Sequence, residues 1–138
     1  MRKALILPTK YVQGEDELLN LGYFVSTFGK KALLIANPAD VDRVRPQLEE
    51  TAKKFDITFV EGGFSGEVTR EETKRLQNVG QKEQADCIIG LGGGKAIDAS
   101  KVVAEGENLI IVPTIAAQDA PTSHSAVLYH EDGSFDDY

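Results

Sequence analysis

The chain of 138 residues has one cysteine, one methionine, two histidines and no tryptophan. Each scarcity excludes something. A lone cysteine, Cys87, allows no internal disulfide, which fits a reducing compartment and leaves stability to the core. Cys87 lies in an expected buried strand, where a thiol behaves as an inert small apolar residue. His124 and His130 are six apart, a spacing that does not return to one face of a helix. In a strand that spacing spans about 20 Å. With no Cys or His cluster the chain offers no zinc site of its own, and no metal ligand is expected within it. No Gly-x-Ser-x-Gly elbow marks a hydrolase. No apolar run approaches the ~18 residues of a membrane helix. Pro8, Thr9 and Lys10 interrupt the N-terminal apolar run, so it does not read as a signal peptide. Cytoplasmic location is the expectation. Positive charge is also short: 15 Lys and Arg face 22 Asp and Glu, for a net charge of −7. A broad nucleic-acid surface needs a basic face and is excluded, whereas a local anion site is not.

What is present is ordinary globular composition, 41% hydrophobic and 27% charged, enough for one core and one domain over residues 1–138.

The organising stretch is Cys87-Ile88-Ile89-Gly90-Leu91-Gly92-Gly93-Gly94-Lys95-Ala96-Ile97-Asp98-Ala99-Ser100-Lys101. It opens as an apolar run without alternation, as in a strand buried on both faces. It closes as a helical pattern. Glycines at the junction let a ligand approach the backbone. The helix N-terminus adds free N–H groups and partial positive charge, and Lys95 adds a full charge. These features suit a phosphate or pyrophosphate; the alternative is a glycine turn with no ligand. Neither common phosphate motif fits. A P-loop requires Gly at 89 and Ser or Thr at 96, where Ile and Ala stand. The G-x-G-x-x-G fingerprint starts at Gly90 but meets Lys95 in place of its last glycine.

In chain order, residues 3–7 read as a strand stopped by Pro8. A helix is expected from Gly14-Glu15-Asp16 to Gly29, with Leu18, Leu19, Leu21, Phe24, Val25 and Phe28 on its apolar face. Residues 32–36 are an apolar strand. Val41, Val44, Leu48, Ala52 and Phe55 form a helical stripe, which Pro46 should break into a short turn and a proper helix. A strand over 57–60 follows. Thr69-Arg70-Glu71-Glu72 is a capping box opening a mostly polar helix to about Glu83, expected on the outer surface, with Gly80 weakening its end. Leu109 to Val112 is another strand. Residues 126–130 and the chain from Phe135 onward read as a hairpin about an Asp-Gly turn.

Alternating strands and helices imply a Rossmann-like α/β fold with a mostly parallel sheet and flanking helices, plus a C-terminal β-hairpin. Ligands gather at the carboxyl ends of such strands. The loops at Asn37-Pro38, 90–95 and 113–123 should therefore converge. Within the last of these, Thr114, Thr122, Ser123 and Ser125 can donate hydrogen bonds and Asp119 can accept them from a hydroxyl. The alternative is a loop satisfying its own backbone.

Residues 90–101, then Val-Pro-Thr-Ile-Ala-Ala-Gln-Asp-Ala-Pro-Thr-Ser over 112–123, then Val-Leu-Tyr over 127–129, resemble the glycerol dehydrogenases. Those belong to the iron-containing (group III) alcohol dehydrogenases. The resemblance covers the whole chain but only the N-terminal part of the family's length. It implies an NAD-binding domain followed by a helical domain that carries an Asp and two His holding catalytic zinc; that second domain is absent here. By resemblance, Gly93, Gly94 and Lys95 meet the pyrophosphate. Thr114, Ser123 and Tyr129 match cofactor-contacting positions; Asp98 matches the superfamily motif, and Asp98 and Ser125 are counted with them as expected cofactor-binding residues. Asp119 matches a carboxylate beside the hydroxyls of a glycerol-like polyol. Asn37 stands where the family usually has an Asp facing the adenosine ribose. An amide still bonds the ribose but does not repel a 2′-phosphate. Ala117-Gln118 replaces a Ser-Thr pair, and Ser125 replaces a common leucine.

The implied activity is zinc-dependent oxidation of glycerol to dihydroxyacetone with NAD, with no turnover by this chain alone. The alternatives are a non-catalytic nucleotide-binding module and part of a cyclase resembling dehydroquinate synthases. A homo-oligomer is expected, since loss of a second domain bares apolar surface.

Overall fold

A computed structural model describes residues 10–116 and 119–138. The expected strand over 3–7 and the Ala117-Gln118 pair lie outside the described residues. A 3-10 turn at Glu17–Asn20 leads into α1 (Leu21–Ser26). Then come β1 (Lys31–Ala36), α2 (Pro38–Phe55), β2 (Thr58–Glu61), α3 (Arg70–Lys82) and β3 (Cys87–Gly92). The rest is α4 (Gly94–Val103), β4 (Leu109–Pro113), β5 (Leu128–Tyr129) and β6 (Phe135–Asp137).

Strands β2-β1-β3-β4 form one sheet in that order, with every pairing parallel. Strands β5 and β6 pair antiparallel as the expected hairpin, with Gly133 at φ 81° in its turn. The fold is thus Rossmann-like α/β with a small hairpin.

Side-chain alternation along the strands builds two cores, one on each face of the sheet. Ala32, Leu34 and Ala36 of β1, with Cys87, Ile89 and Leu91 of β3, pack against Leu21, Val25, Val41 and Leu48 of α1 and α2. Leu33 and Ile35, with Ile88, pack against Leu76 of α3 and Ala96, Ala99 and Val103 of α4. The path explains the division. From β1 the chain crosses to β2 on one side, then returns past β1 to β3 and β4. Crossovers of one hand put helices on opposite faces when the direction reverses. The reversal makes the crevice between the carboxyl ends of β1 and β3 the topological switch point.

Helix α4 lies unusually close to β3. A Cβ on Gly90 would stand 2.7 Å from Ser100 Cβ. Ser100 is fully buried and keeps its hydroxyl satisfied by donating to Ile97 O at 2.6 Å.

Three local expectations are corrected. The first helix divides into a 3-10 turn and a short α-helix, because the side chain of Thr51 captures the junction. Its hydroxyl accepts from Gly22 N at 2.9 Å and donates to Leu19 O at 2.8 Å. Phe28 is 43% exposed rather than part of the buried face. Secondly, Pro46 does not break α2, which runs 18 residues through it. Pro46 is on the exposed side, where water can serve the carbonyl that loses its partner, while Val41, Leu48 and Thr51 anchor the other side. Thirdly, α3 is not merely an outer-surface helix. It buries Glu72, Thr73, Leu76 and Gly80, and Gly80 lets it approach Leu33, whose Cδ2 would be 3.3 Å from an added Cβ. The capping box is half made: Thr69 Oγ1 accepts from Glu72 N at 3.1 Å. The Glu72 carboxylate instead accepts from Ser65 N and from Arg75.

Candidate functional site

Two helices begin at the switch point. Asn37 caps α2, its Oδ1 accepting from Ala39 N at 3.3 Å, and Pro38 follows at a position where a missing N–H costs nothing. Gly93 caps α4 through extended backbone and without a side-chain bond. The first α4 hydrogen bond in this turn runs from Ile97 N to Gly93 O, so the amides of Gly94, Lys95 and Ala96 have no intrahelical acceptor.

The turn between β3 and α4 demands glycine at 92. Its φ is +147°. A Cβ there would stand 3.0 Å from Ala96 Cβ and 3.3 Å from Asp40 Oδ2. The carboxylate of Asp40, in the first turn of α2, therefore lies over the glycine turn. Arg43 holds the same carboxylate at 3.0 Å. The β4 loop closes the other side. Thr114 N donates to Gly92 O at 2.9 Å, and Ile115 Cδ1 would be 3.3 Å from a Cβ on Gly93.

Lys95 leaves α4 on the flank facing the hairpin. Its Nζ is 2.5 Å from Glu67 Oε1 and 5.9 Å from the centroid of the Tyr129 ring. Tyr129 N donates to Val68 O at 2.8 Å, which joins the hairpin to the loop carrying Glu67.

A third group sits one turn further along α4. Asp98 Oδ2 accepts from Val127 N at 3.2 Å. Lys101 Nζ reaches Asp98 Oδ1 at 3.4 Å, Ser123 Oγ at 3.2 Å and Ser125 O at 2.8 Å. Both side chains of the Asp98–Lys101 pair are nearly enclosed, at 15% and 11% exposure. Together they pin the segment 123–127 onto α4. Asp119, exposed, forms a tight turn in which its carbonyl accepts from Thr122 N and Ser123 N at 2.9 Å each. Asp98, Asp119, Ser123, Ser125 and Tyr138 border a cavity of ≈ 250 Å³.

The expected residues thus ring the first half of α4 in three groups: Asn37, Gly93, Gly94 and Thr114 at the crevice; Lys95 and Tyr129 on its flank; Asp98, Asp119, Ser123 and Ser125 at the cavity. Sequence reasoning missed Asp40, Glu67 and Lys101. Lys101 had a signal, since it follows Asp98 at helical i,i+3 spacing. Asp40 reads along the chain only as an acid suiting a helix dipole. Glu67 pairs across 28 positions and has no local signature. Cys87 is buried, and burial, with the neighbouring Asp86 charge, pushes its thiol up to about 11, so no thiolate is available there. His130 lies 3.8 Å from Asp136 on the hairpin. Among the described residues no group of three His, Cys, Asp or Glu is placed to hold a metal ion, and no helix is long and apolar enough to cross a membrane.

Residues 8–137 match the family described as iron-containing alcohol dehydrogenase. The chain is 38% identical to a glycolaldehyde reductase of Halobacterium salinarum, over 95% of this chain and 36% of that protein. It is 35% identical to a glycerol dehydrogenase of Pseudomonas putida, over 100% of this chain and 38% of that protein. The crystal structure of a probable glycerol dehydrogenase from Sinorhizobium meliloti superposes with a TM-score of 0.82 at 33% identity, covering 99% of this chain and 37% of that one. The chain therefore spans little more than a third of the length of these relatives.

Proposed function

The chain belongs to the iron-containing alcohol dehydrogenase family, and from that premise we propose that it is the NAD-binding part of a glycerol-type polyol dehydrogenase. Relatives named glycerol dehydrogenase and glycolaldehyde reductase support a short hydroxylated alcohol, or the matching carbonyl compound, as substrate. The observation that carries the cofactor assignment is the meeting of two helix N-termini at the Gly92–Gly93 turn. Free amides, a partial positive charge and a backbone without side chains suit a pyrophosphate.

NAD fits the residues present. Gly93, Gly94 and the α4 amides would hold its pyrophosphate, with Lys95 adding charge. Asn37 and Asp40 offer acceptors for the adenosine ribose at the α2 end. Thr114, Ser123 and Tyr129 would line the path toward the nicotinamide, and Asp119 would accept from a polyol hydroxyl. When bound, NAD supplies the hydride acceptor; these residues bind and orient it.

A catalytic metal, iron by the family's description or zinc by the resemblance, does not fit the described residues of this chain. In this reading its ligands lie in the remaining length of the relatives, and the 138 residues do not turn over alone. Cytoplasmic location and self-association belong to the same reading.

Calorimetric titration of the chain with NAD, and NADP as comparator, tests it. Saturable NAD binding that weakens on Lys95→Ala is the expected result. No saturable binding of either cofactor overturns the assignment.

A further inference from the structure

We infer that Glu67 is a positioning residue of this site, holding the Lys95 ammonium aside until a pyrophosphate takes it over. The inference rests on the reading of the glycine turn as a cofactor site. Lys95 stands in the first turn of α4, beside the amides that lack intrahelical acceptors, yet its Nζ is on Glu67 Oε1 at 2.5 Å. The ring of Tyr129 lies 5.9 Å from the same ammonium. The lysine is therefore paired with a carboxylate at the edge of the turn read as the cofactor site.

Glu67 is presented by a braced loop. Val68 beside it is buried and bonded through its carbonyl to Tyr129 N. Arg75 donates to Gly62 O and Gly63 O, at 3.1 and 2.9 Å. The Glu72 carboxylate accepts from Ser65 N at 2.9 Å, and Thr69 caps α3. The backbone that carries Glu67 is thus braced on both sides, and its exposed side chain reaches Lys95 from that fixed position.

The strength of the pair suits an exchange. Lys95 and Glu67 side chains are 54% and 52% exposed, and ion pairs that exposed shift an equilibrium by only about two- to fivefold. A pyrophosphate carries more charge than one carboxylate and is also met by the α4 amides. It outcompetes Glu67, and the lysine changes partner. Glu67 thereby lowers cofactor affinity by about the strength of the pair it gives up.

The test is a double-mutant cycle read by calorimetry on the 138-residue chain, with NAD and inorganic pyrophosphate as probes. Glu67→Gln is expected to tighten both about two- to fivefold, and Glu67→Asp to remain near the parent chain. In a Lys95→Ala background Glu67→Gln is expected to change nothing, because the effect runs through the lysine. A purely structural role for Glu67 would not vanish in that background. Unchanged or weakened binding in Glu67→Gln overturns the inference, and so does equal tightening in both backgrounds. If NAD binds but Lys95→Ala leaves its affinity unchanged, the inference falls while the cofactor reading, carried by the helix N-termini, stands. If neither probe binds, both fall.

Discussion

The Asp40 carboxylate lies over Gly92, with Oδ2 3.3 Å from where a Cβ on that glycine would stand. A negative charge thus borders the turn proposed for the pyrophosphate, at the position where the chain otherwise offers only the neutral Asn37. Its pairing with Arg43 at 3.0 Å moderates the repulsion.

Asp40 is therefore expected to set the choice of cofactor. A carboxylate accepts from a ribose hydroxyl and repels a 2′-phosphate. Asp40→Asn should raise affinity for NADP relative to NAD by about tenfold, read as the ratio of the two Kd values. A ratio that does not move would leave discrimination to Asn37 or to neither.

Lys101 holds the 123–127 segment by two contacts, to Ser123 and Ser125, and pairs with Asp98 on its own helix. Lys101→Ala leaves the nearly enclosed Asp98 without its cation. The expected cost is about 1–3 kcal/mol, with faster hydrogen exchange at Val127, whose amide Asp98 accepts. Exchange there as slow as in the parent chain would show that the loop does not depend on the lysine.

Glu72 predicts a pH dependence. Burial by itself would raise its pKa, but hydrogen bonds from Arg75 and Ser65 outweigh this and hold it below the usual carboxylate value. A lowered folded pKa means stabilisation that is complete above the unfolded value of about 4.3 and lost as pH falls through the folded value. Glu72→Gln should therefore be less stable by about 1–3 kcal/mol near neutrality, and the gap should close in acid. Urea midpoints across pH check this.

Pro46 lies inside α2 on its exposed side. Pro costs about 3 kcal/mol relative to Ala in a helix interior, partly offset by its restriction of the unfolded chain, about 1 kcal/mol. Pro46→Ala should thus stabilise by about 2 kcal/mol, seen as a higher urea midpoint with unchanged slope.

Much of this protein was legible along the chain. The apolar runs at 32–36, 87–92 and 109–112, with helical stripes between them, state a parallel α/β sheet, because strand burial and helix periodicity are local patterns. The run of glycines before Lys95 marks a strand-to-helix turn, because glycine alone tolerates the φ of +147° at Gly92. The Asp-Gly hairpin is local in the same sense.

What tertiary structure decided is where local patterns met distant partners. Thr51 broke the first helix from 29 positions away. The burial of Val41 and Leu48 carried α2 through a proline that propensity alone would have made a boundary. Ser65 and Arg75 drew Glu72 away from its capping box. Glu67, Asp40 and Lys101 entered the site because the reversal of the sheet path at β1 and β3 brings the loops and helix ends that bear them around the start of α4. A sequence specifies which residues want burial or charge compensation; only the packed chain determines which partner stands close enough to supply it.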